Sequence, residues 1–430
     1  MLTRIIGAWW RLRAQPATRE DRNIRYLMAQ TALIGVVNGG IVTFLPIFLA
    51  RLGASPVTVS LLTALPALVT IILALPAGAI ACRWRDMVQV SARCFWALRF
   101  CYLAVGAAGF LSPQVAPWLI VAIWGLSAIP STLGNTVFYD ILAESVSPRR
   151  RPMVNGMRWA LLGLLNAVSV AGFGQLLELF PTPYNYLLVF ILSFIAGMLS
   201  TGFYARLEIP LHEPQLQPPS TPWRQRLAEL VEPLTAGGGF VAYSGITFML
   251  RVAIYLASGL WSIFYVRNLQ ASDAWIGWRA TIESLALTAG YYFWGRVADR
   301  TGHTRMLIIV SMVLGGVCVA TSLVTRDVRW LLLCLAPLSG FFASGIDVSL
   351  FEGLIAVMPP DLRPRYVAMN TALANTVAFL APIAGATLAE RTGIPAVIAA
   401  GGAFFFATAA LAALWKVKPR VRGSVARAVS

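Results

Sequence analysis

Residues 295–305 read Gly-Arg-Val-Ala-Asp-Arg-Thr-Gly-His-Thr-Arg, and this polar stretch separates two long apolar runs. Its glycines allow the chain to turn tightly between two helices. The Asp299 carboxylate can accept hydrogen bonds from nearby backbone N–H groups and from Arg300 or Arg305. The stretch therefore predicts a charged latch that holds two helices together at one end of a helical bundle.

Apolar runs continue on both sides of this stretch and fill most of the chain. A helix needs about 20 apolar residues to cross a bilayer. Twelve runs of that kind are present, and their continuity argues against the short alternating strands of a membrane barrel. The predicted spans are 26–50, 56–81, 91–112, 117–143, 156–178, 184–205, 237–265, 273–296, 306–325, 331–358, 367–389 and 394–415.

The charge content also indicates a membrane protein. Charged residues make up 12% of the 430 residues, whereas a soluble protein has about a quarter. The net charge of +16 comes from short basic segments between apolar runs, and not from one basic face. This distribution is typical of membrane proteins and argues against binding to nucleic acid.

The positions of Arg and Lys predict the orientation. With the N-terminus inside, the inner segments hold 26 of these cations and the outer loops hold 5. Cytoplasmic segments carry the excess of Lys and Arg in membrane proteins. We therefore expect a multi-pass protein of the cytoplasmic membrane with both termini in the cytoplasm.

The two halves of the chain resemble each other. Residues 47–51 (Ile-Phe-Leu-Ala-Arg) match 263–267 (Ile-Phe-Tyr-Val-Arg) at an offset of 216, and Ala54-Ser55 matches Ala271-Ser272 at 217. Further matches follow at an offset of 212; they are Asp140 with Glu352, Arg151-Pro152 with Arg363-Pro364, and Met157 with Met369. Repeats of this kind are the build of many secondary transporters.

The expected organisation follows from these repeats. The fold class is an all-α integral membrane protein with twelve transmembrane helices in two pseudo-symmetric six-helix bundles. The expected segments are a cytoplasmic N-terminal segment 1–25, bundles 26–206 and 236–415, a cytoplasmic linker 207–235 and a tail 416–430. Prolines interrupt the linker, and its second part, from Trp223, has the composition of a short amphipathic helix.

The motif resembles the signature of the major facilitator superfamily (MFS), Gly-x-x-x-Asp-Arg-x-Gly-Arg-Arg/Lys, which recurs in both halves of its members. In the second half Gly295, Asp299, Arg300 and Gly302 match, and Arg305 supplies a cation one position late. In the first half Gly78 and Arg83 match, but Cys82 replaces the acid. The resemblance implies alternating access by two bundles that rock around a central site. The degraded first copy leaves open a non-transporting receptor or assembly factor.

Three of the charged residues inside the predicted spans stand out, because an ionisable side chain there is costly unless it faces a cavity or a partner. Arg251, Glu283 and Asp347 fall in the seventh, eighth and tenth spans, and the resemblance implies that these helices face the pathway. They are candidates for substrate binding or proton coupling. The alternative is structural pairing, for instance of Arg279 with Glu283 one turn away.

A second charged set lies near the cytoplasmic ends of the spans. Asp140, Glu144 and Glu352 are at the level of several arginines. The resemblance implies a salt-bridge gate that closes in the outward-open state. The alternative is ordinary pairing or snorkelling at the membrane surface.

The sequence offers little for catalysis. The lysines are Lys416 and Lys418, and the histidines are His212 and His303. No phosphate-binding Gly-x-x-x-x-Gly-Lys motif, no histidine zinc site and no catalytic triad can be assembled from them, so we expect no cofactor and no enzyme.

We therefore expect a secondary transporter that acts as a monomer in the lipid bilayer, with a small-molecule substrate and protons as a candidate coupling ion. Arg251 favours a substrate with negative charge. Export of an amphipathic compound and uptake of a metabolite both remain open.

Overall fold

The computed structural model describes residues 18–81, 83–211, 223–235, 239–359 and 362–414. These ranges contain 13 helices and no strand. The helices are α1 Arg19–Arg51, α2 Pro56–Ala81, α3 Met87–Ala108, α4 Ala116–Ser145, α5 Arg151–Leu177, α6 Tyr184–Tyr204, α7 Trp223–Thr235, α8 Gly239–Asn268, α9 Asp273–Thr301, α10 His303–Ser322, α11 Leu331–Val357, α12 Arg363–Thr392 and α13 Ile394–Leu414.

Ten of these helices are long and apolar enough to cross a membrane. Helices α3 and α9 are long enough but more polar, since α3 carries Arg93 and Arg99 and α9 carries Arg279 and Glu283. Both pack between apolar helices, α3 against α4 and α6, and α9 against α5 and α11. The predicted all-α membrane fold class is confirmed.

The helices pack in two sets with the same internal arrangement. In the first half, α1–α6, helix α1 packs on α5 and α6, α3 packs on α4 and α6, and α2 packs on α4. In the second half, α8–α13, helix α8 packs on α12 and α13, α10 packs on α11 and α13, and α9 packs on α11. Each helix of the first half therefore has an equivalent seven positions later in the order.

Helix α1 widens into one π-helical turn at Asn38–Val42. Pro46 explains this irregularity, because proline has no N–H to donate and its ring crowds the carbonyl four residues earlier. The Thr43 hydroxyl donates to the Asn38 carbonyl oxygen at 2.8 Å. The Asn38 carbonyl oxygen also accepts the Thr43 backbone N–H, so this end of the widened turn is hydrogen-bonded inside a membrane, where no water replaces a lost backbone hydrogen bond.

The predicted linker helix is present as α7 and lies against the start of α12. Arg365 donates to Glu232 at 2.5 Å, and Leu230 and Leu234 pack against the buried pair Phe240 and Tyr366. The proline-rich segment 212–222, the N-terminal residues 1–17 and the tail from 415 onwards lie outside the described residues.

Helices α9 and α11 approach each other very closely at Gly340. A Cβ atom at this position would lie 2.0 Å from the Glu283 carbonyl oxygen, which is part of the rigid backbone of α9. Small residues allow such close contacts between membrane helices. The shape of the second half therefore depends on the absence of a side chain at Gly340.

We expect Gly340→Ala to destabilise the protein, because α9 and α11 must move apart to admit the methyl group. Overpacking of this kind costs about 1–3 kcal/mol. Gly316→Ala in α10 is the matched control, since a Cβ there meets nothing within 4 Å. A lower thermal midpoint is expected for Gly340→Ala alone, and equal midpoints for the two variants would contradict this account.

Candidate functional site

Two arginines cross between the halves at the face where α1 and α8 end, which we call the latch face (residues 51–55 and 267–273). Arg51 donates to the Ala271 carbonyl oxygen at 2.6 Å, and Arg267 donates to the Ala54 carbonyl oxygen at 2.5 Å. Arg51 and Arg267 are equivalent in the two repeats, as are Ala54 and Ala271. The two contacts are therefore reciprocal, as in a two-fold symmetric interface.

An ion pair reinforces one of the two latch contacts. Arg51 lies 3.0 Å from the Asp273 carboxylate, which also accepts a hydrogen bond from the Tyr186 hydroxyl at 2.8 Å. Asp273 is only 7% exposed. A buried carboxylate is tolerated when charged and hydrogen-bonding partners surround it, so loss of Arg51 leaves Asp273 poorly compensated. The repeat equivalent of Asp273 is Pro56, so only one contact carries this pair.

The contact between α5 and α9 extends the closed region towards the middle of the bundle. Asn166 donates to the Ser284 hydroxyl at 3.0 Å, and the Thr281 hydroxyl donates to the Ala167 carbonyl oxygen at 3.1 Å. Ser284 is eleven residues into α9, about 16 Å along the helix. The halves are thus joined from the latch face to about mid-membrane depth.

Helix α2 contributes to the same closed region between the halves, which we call the seal. Ser60 is fully buried, and a Cβ on Gly259 of α8 would lie 2.4 Å from its hydroxyl oxygen. Helix α2 also packs along α12, the helix equivalent to α5. The α2–α12 and α5–α9 contacts are therefore related by the same pseudo-two-fold axis as the latch.

The opposite face, which we call the motif face, contains residues 83–86, 146–150, 302, 358, 359 and 362. Its ion pairs join elements of one half: Arg22 pairs with Glu208 at 2.8 Å and Arg150 with Asp21 at 2.9 Å. The hydrogen bond from Arg22 lowers the pKa of the Glu208 carboxyl, so this contact is an ion pair at neutral pH.

The signature motif spans the end of α9, the turn at Gly302 and the start of α10. Gly302 has φ +77°, a conformation that L side chains rarely adopt, and it ends α9 and precedes α10 directly. Gly295, Arg300 and Arg305 are exposed. The Asp299 side chain lies outside the described residues, as do Cys82 and the surroundings of Gly78. The predicted contacts of the Asp299 carboxylate with Arg300 or Arg305 on the motif face therefore stay a prediction.

The predicted gate residues lie on the motif face at the ends of α4 and α11. Asp140, Glu144 and Glu352 are exposed, and so is Arg83. Among the described residues, Asp140 and Glu352 form no hydrogen bond or ion pair with one another or with a cation. The structure thus places Asp140 and Glu352 at one face without joining them to each other.

The three charged residues predicted inside the spans have three separate environments. Glu283 pairs with Arg279 at 2.9 Å and accepts from the Ser339 hydroxyl at 2.6 Å, which is the structural pairing weighed above. Asp347 accepts from the Tyr291 hydroxyl at 2.5 Å, and both residues are exposed.

Arg251, the third of these residues, is partly buried. One of its N–H groups donates to the Asn370 side-chain oxygen at 3.2 Å. Glu283 therefore resembles a structural residue, while Asp347 and Arg251 keep free hydrogen-bonding capacity.

Sequence reasoning missed the residues that join the halves. Asp273 and Tyr186 lie at the ends of predicted spans and are not among the predicted site residues. Arg51 and Arg267 were counted as outer-loop cations. The signal was available, because these two arginines occupy the same repeat position next to the matched Ala-Ser pairs.

Comparison with known families and structures gives a consistent picture. A family model described as Major Facilitator Superfamily matches residues 27–250 and 243–429. No curated protein matches the chain.

Solved structures of transporters are similar in fold. A mutant of the nucleoside transporter NupG has a TM-score of 0.70 and 13% identity, covering 91% of this chain and 100% of that one. A bacterial homologue of the iron transporter ferroportin, in the inward-facing state, has a TM-score of 0.68 and 13% identity, and the match covers 93% of this chain and 99% of that one. A bacterial homologue of the human lysosomal transporter Spinster, in an inward-facing and unoccupied conformation, has a TM-score of 0.59 and 14% identity. That match covers 93% of this chain and 95% of the other.

We expect Arg51→Ala to open the latch face, because it removes both the ion pair to Asp273 and the contact with the Ala271 carbonyl. Loss of about 1.4 kcal/mol changes a two-state ratio about tenfold. The measurement is the rate at which Ser60→Cys reacts with a small thiol reagent in a protein without its native cysteines.

Arg326→Ala is the control for this experiment, since Arg326 is an exposed arginine of the same face. We expect about a tenfold faster reaction in Arg51→Ala and no change in Arg326→Ala. Equal rates in the two variants would show that the Arg51 contacts do not hold the face closed.

Proposed function

The chain belongs to the Major Facilitator Superfamily, and from this premise we propose that it is a secondary active transporter that moves a small solute by alternating access. The observation that carries the proposal is the reciprocal pair of contacts at the latch face. At the motif face, by contrast, Asp140 and Glu352 form no ion pair with one another or with an arginine among the described residues. Symmetric contacts thus close the latch face, and in the part of the chain that the structure describes Asp140 and Glu352 add no such contact between the halves at the motif face. This is the arrangement that one end state of a rocking carrier requires.

The charge distribution supports an orientation for this state. The described segments at the motif face carry more arginines than those at the latch face, so we assign the motif face to the cytoplasm and the latch face to the outside. The structure is then inward-open, in a monomer of the cytoplasmic membrane. Two of the similar solved structures are also described as inward-facing.

The proposed cycle uses the two charged sets alternately. When the latch opens, the motif face closes, and Asp140, Glu144 and Glu352 then pair with arginines of that face such as Arg83 and Arg300. The turn formed by Gly295, Asp299, Gly302 and Arg305, with its degraded counterpart at Gly78, connects the helices that move. Each end state thereby has its own set of polar contacts.

Asp347 is the residue that we propose for proton coupling. It is exposed on α11, about ten residues or 15 Å from the end of that helix at the motif face, and its observed partner is the neutral Tyr291 hydroxyl. A carboxylate with no cation to keep it charged can take up and release a proton. Glu283 has Arg279 as a counter-charge and is the weaker candidate.

Alternating access is tested by measuring distances at both faces with pairs of spin labels. Tyr139→Cys with Phe351→Cys reports on the motif face, and Leu111→Cys with Leu323→Cys reports on the latch face. All four side chains are exposed, and each pair has the repeat offset of 212. We expect Arg51→Ala to lengthen the latch-face distance and shorten the motif-face distance.

The same measurement separates the transporter from its alternative. A receptor or assembly factor on this scaffold predicts that both distances stay unchanged in Arg51→Ala although Ser60→Cys becomes reactive. Distances that change in the same direction at both faces would indicate loosening of the bundle and would also contradict alternating access.

Proton coupling by Asp347 predicts that pH shifts the populations of the two states. We expect the latch-face distance distribution of the wild type to differ between pH 5.5 and pH 8.5, and the difference to vanish in Asp347→Asn. Asp327→Asn, in an exposed loop of the latch face, is the matched control. A pH dependence that survives in Asp347→Asn would assign the coupling to another group.

A further inference from the structure

Arg251 has more hydrogen-bonding capacity than the protein uses. A guanidinium group has five N–H donors, and the observed polar contact of Arg251 is one hydrogen bond to Asn370. Among the described residues, no carboxylate lies within ion-pair distance of it. A cation at this depth is costly unless something neutralises it.

Arg158 in the first half likewise has more N–H donors than the observed hydrogen bonds use. Its Nε donates to the Thr31 hydroxyl at 3.0 Å, one terminal nitrogen lies 3.5 Å from the Asn155 side-chain oxygen, and its guanidinium lies 4.9 Å from the centre of the Phe138 ring. Within the part of the chain that the structure describes, it too has no acidic partner. Neutral groups thus hold both guanidinium groups in place without cancelling their charge.

The repeats relate the two positions. The offset of 212 that matches Met157 with Met369 also matches Arg158 with Asn370, the residue that contacts Arg251. The α5–α1 contact of the first half corresponds to the α12–α8 contact of the second. Each half therefore has one arginine at the same helix–helix contact, supplied by α5 in the first and by α8 in the second.

These two contacts border the space between the halves. Helix α5 packs on α9, α12 packs on α2, and the end of α1 meets the end of α8, so all four helices take part in the closed region near the latch. Arg158 is seven residues from the motif-face end of α5, about 10 Å, and Arg251 is twelve residues from that end of α8, about 18 Å. Both lie on the motif-face side of the seal formed by Asn166 and Ser284.

The neighbouring carboxylates do not neutralise this pair of arginines. Glu283 is paired with Arg279 and hydrogen-bonded to Ser339, and Asp347 is bonded to Tyr291. Asp140 and Glu352 lie at the exposed ends of α4 and α11. The missing negative charge is therefore not supplied by these side chains.

We propose that Arg158 and Arg251 form a two-armed site for an oxyanion, and that the transported solute is a small organic anion with two carboxylates or one phosphate group. The inference rests on the proposed function and deepens it. An anion that contacts one arginine of each half bridges the two bodies that rock. Planar guanidinium groups bind carboxylate and phosphate oxygens through paired hydrogen bonds, which lysine cannot reproduce.

The test is the thermal midpoint of the detergent-purified protein with increasing succinate or glycerol 3-phosphate. Chloride at the same ionic strength and neutral glycerol are the reference solutes. A solute that binds the folded protein raises the midpoint in a saturable way. We expect a rise with at least one of the two anions in the wild type and none with the reference solutes.

Substitutions of the arginines test which of them bind the anion. We expect Arg158→Gln and Arg251→Gln each to weaken anion binding by about tenfold or more, since each removes one of two charged arms. Arg326→Gln, with an exposed arginine of the latch face, is expected to bind as the wild type does. Arg251→Lys keeps the charge and serves as the folded comparison if Arg251→Gln is unstable, with an affinity between those of the wild type and Arg251→Gln.

Two outcomes contradict the site, and a third contradicts the transported solute alone. No saturable shift with either anion, or equal shifts in the wild type and both Gln variants, would overturn the site. A shift produced only by vesicles containing phosphatidylglycerol, and lost in the variants, would keep the anion site but make its ligand a lipid headgroup and not a cargo. The spin-label distances decide separately whether the protein alternates between two states, so either proposal can fail alone.

Discussion

Two hydrogen bonds from arginine to backbone carbonyl oxygens hold the two halves of this protein together at one face. Arg51 reaches the carbonyl of Ala271 and Arg267 reaches that of Ala54. The Asp273 and Tyr186 side chains surround the first contact, and the α5–α9 and α2–α12 contacts continue from it towards the centre. Because lipid offers no hydrogen bonds to a bare arginine or carbonyl, every part of the interface must provide its own partners. The closed face is the result of that requirement.

The balance of charge explains which polar residues are structural. Glu283 lies deep in α9 but has Arg279 and Ser339 beside it, so its charge is compensated within the second half. Among the described residues, the partners of Arg158 and Arg251 are neutral. The partners around a charged side chain inside the membrane therefore indicate whether it is structural or is available to a ligand. A count of intramembrane charges alone does not distinguish the two cases.

Much of the fold could be predicted from the sequence. Apolar runs of about 20 residues indicated the helices, and the offset between the two Ile-Phe-x-x-Arg segments indicated two equivalent halves. Gly302 occupies the turn that its position in the motif suggests. The runs 91–112 and 273–296 predicted helices α3 and α9 as well, although both helices are more polar than the ten that have the length and composition of a membrane span.

The candidate site was harder to predict, because it depends on contacts between distant segments. Nothing near Asp273 in the sequence indicates that Arg51 lies beside it, 222 residues away. Arg158 was grouped with the cations of the cytoplasmic surface, because depth along a helix does not reveal which neighbours surround a side chain. Glu283 had its partner four residues away, and that contact was the one that local spacing could suggest.

The latch arginines bind main-chain oxygens, and this has an evolutionary consequence. Ala54 and Ala271 can be exchanged for other small residues without removing the acceptor, since every amino acid carries the same carbonyl. Substitution of either alanine therefore leaves the interface its acceptor, whereas substitution of either arginine removes one of the two contacts. The interface tolerates sequence drift on one side of each contact and not on the other.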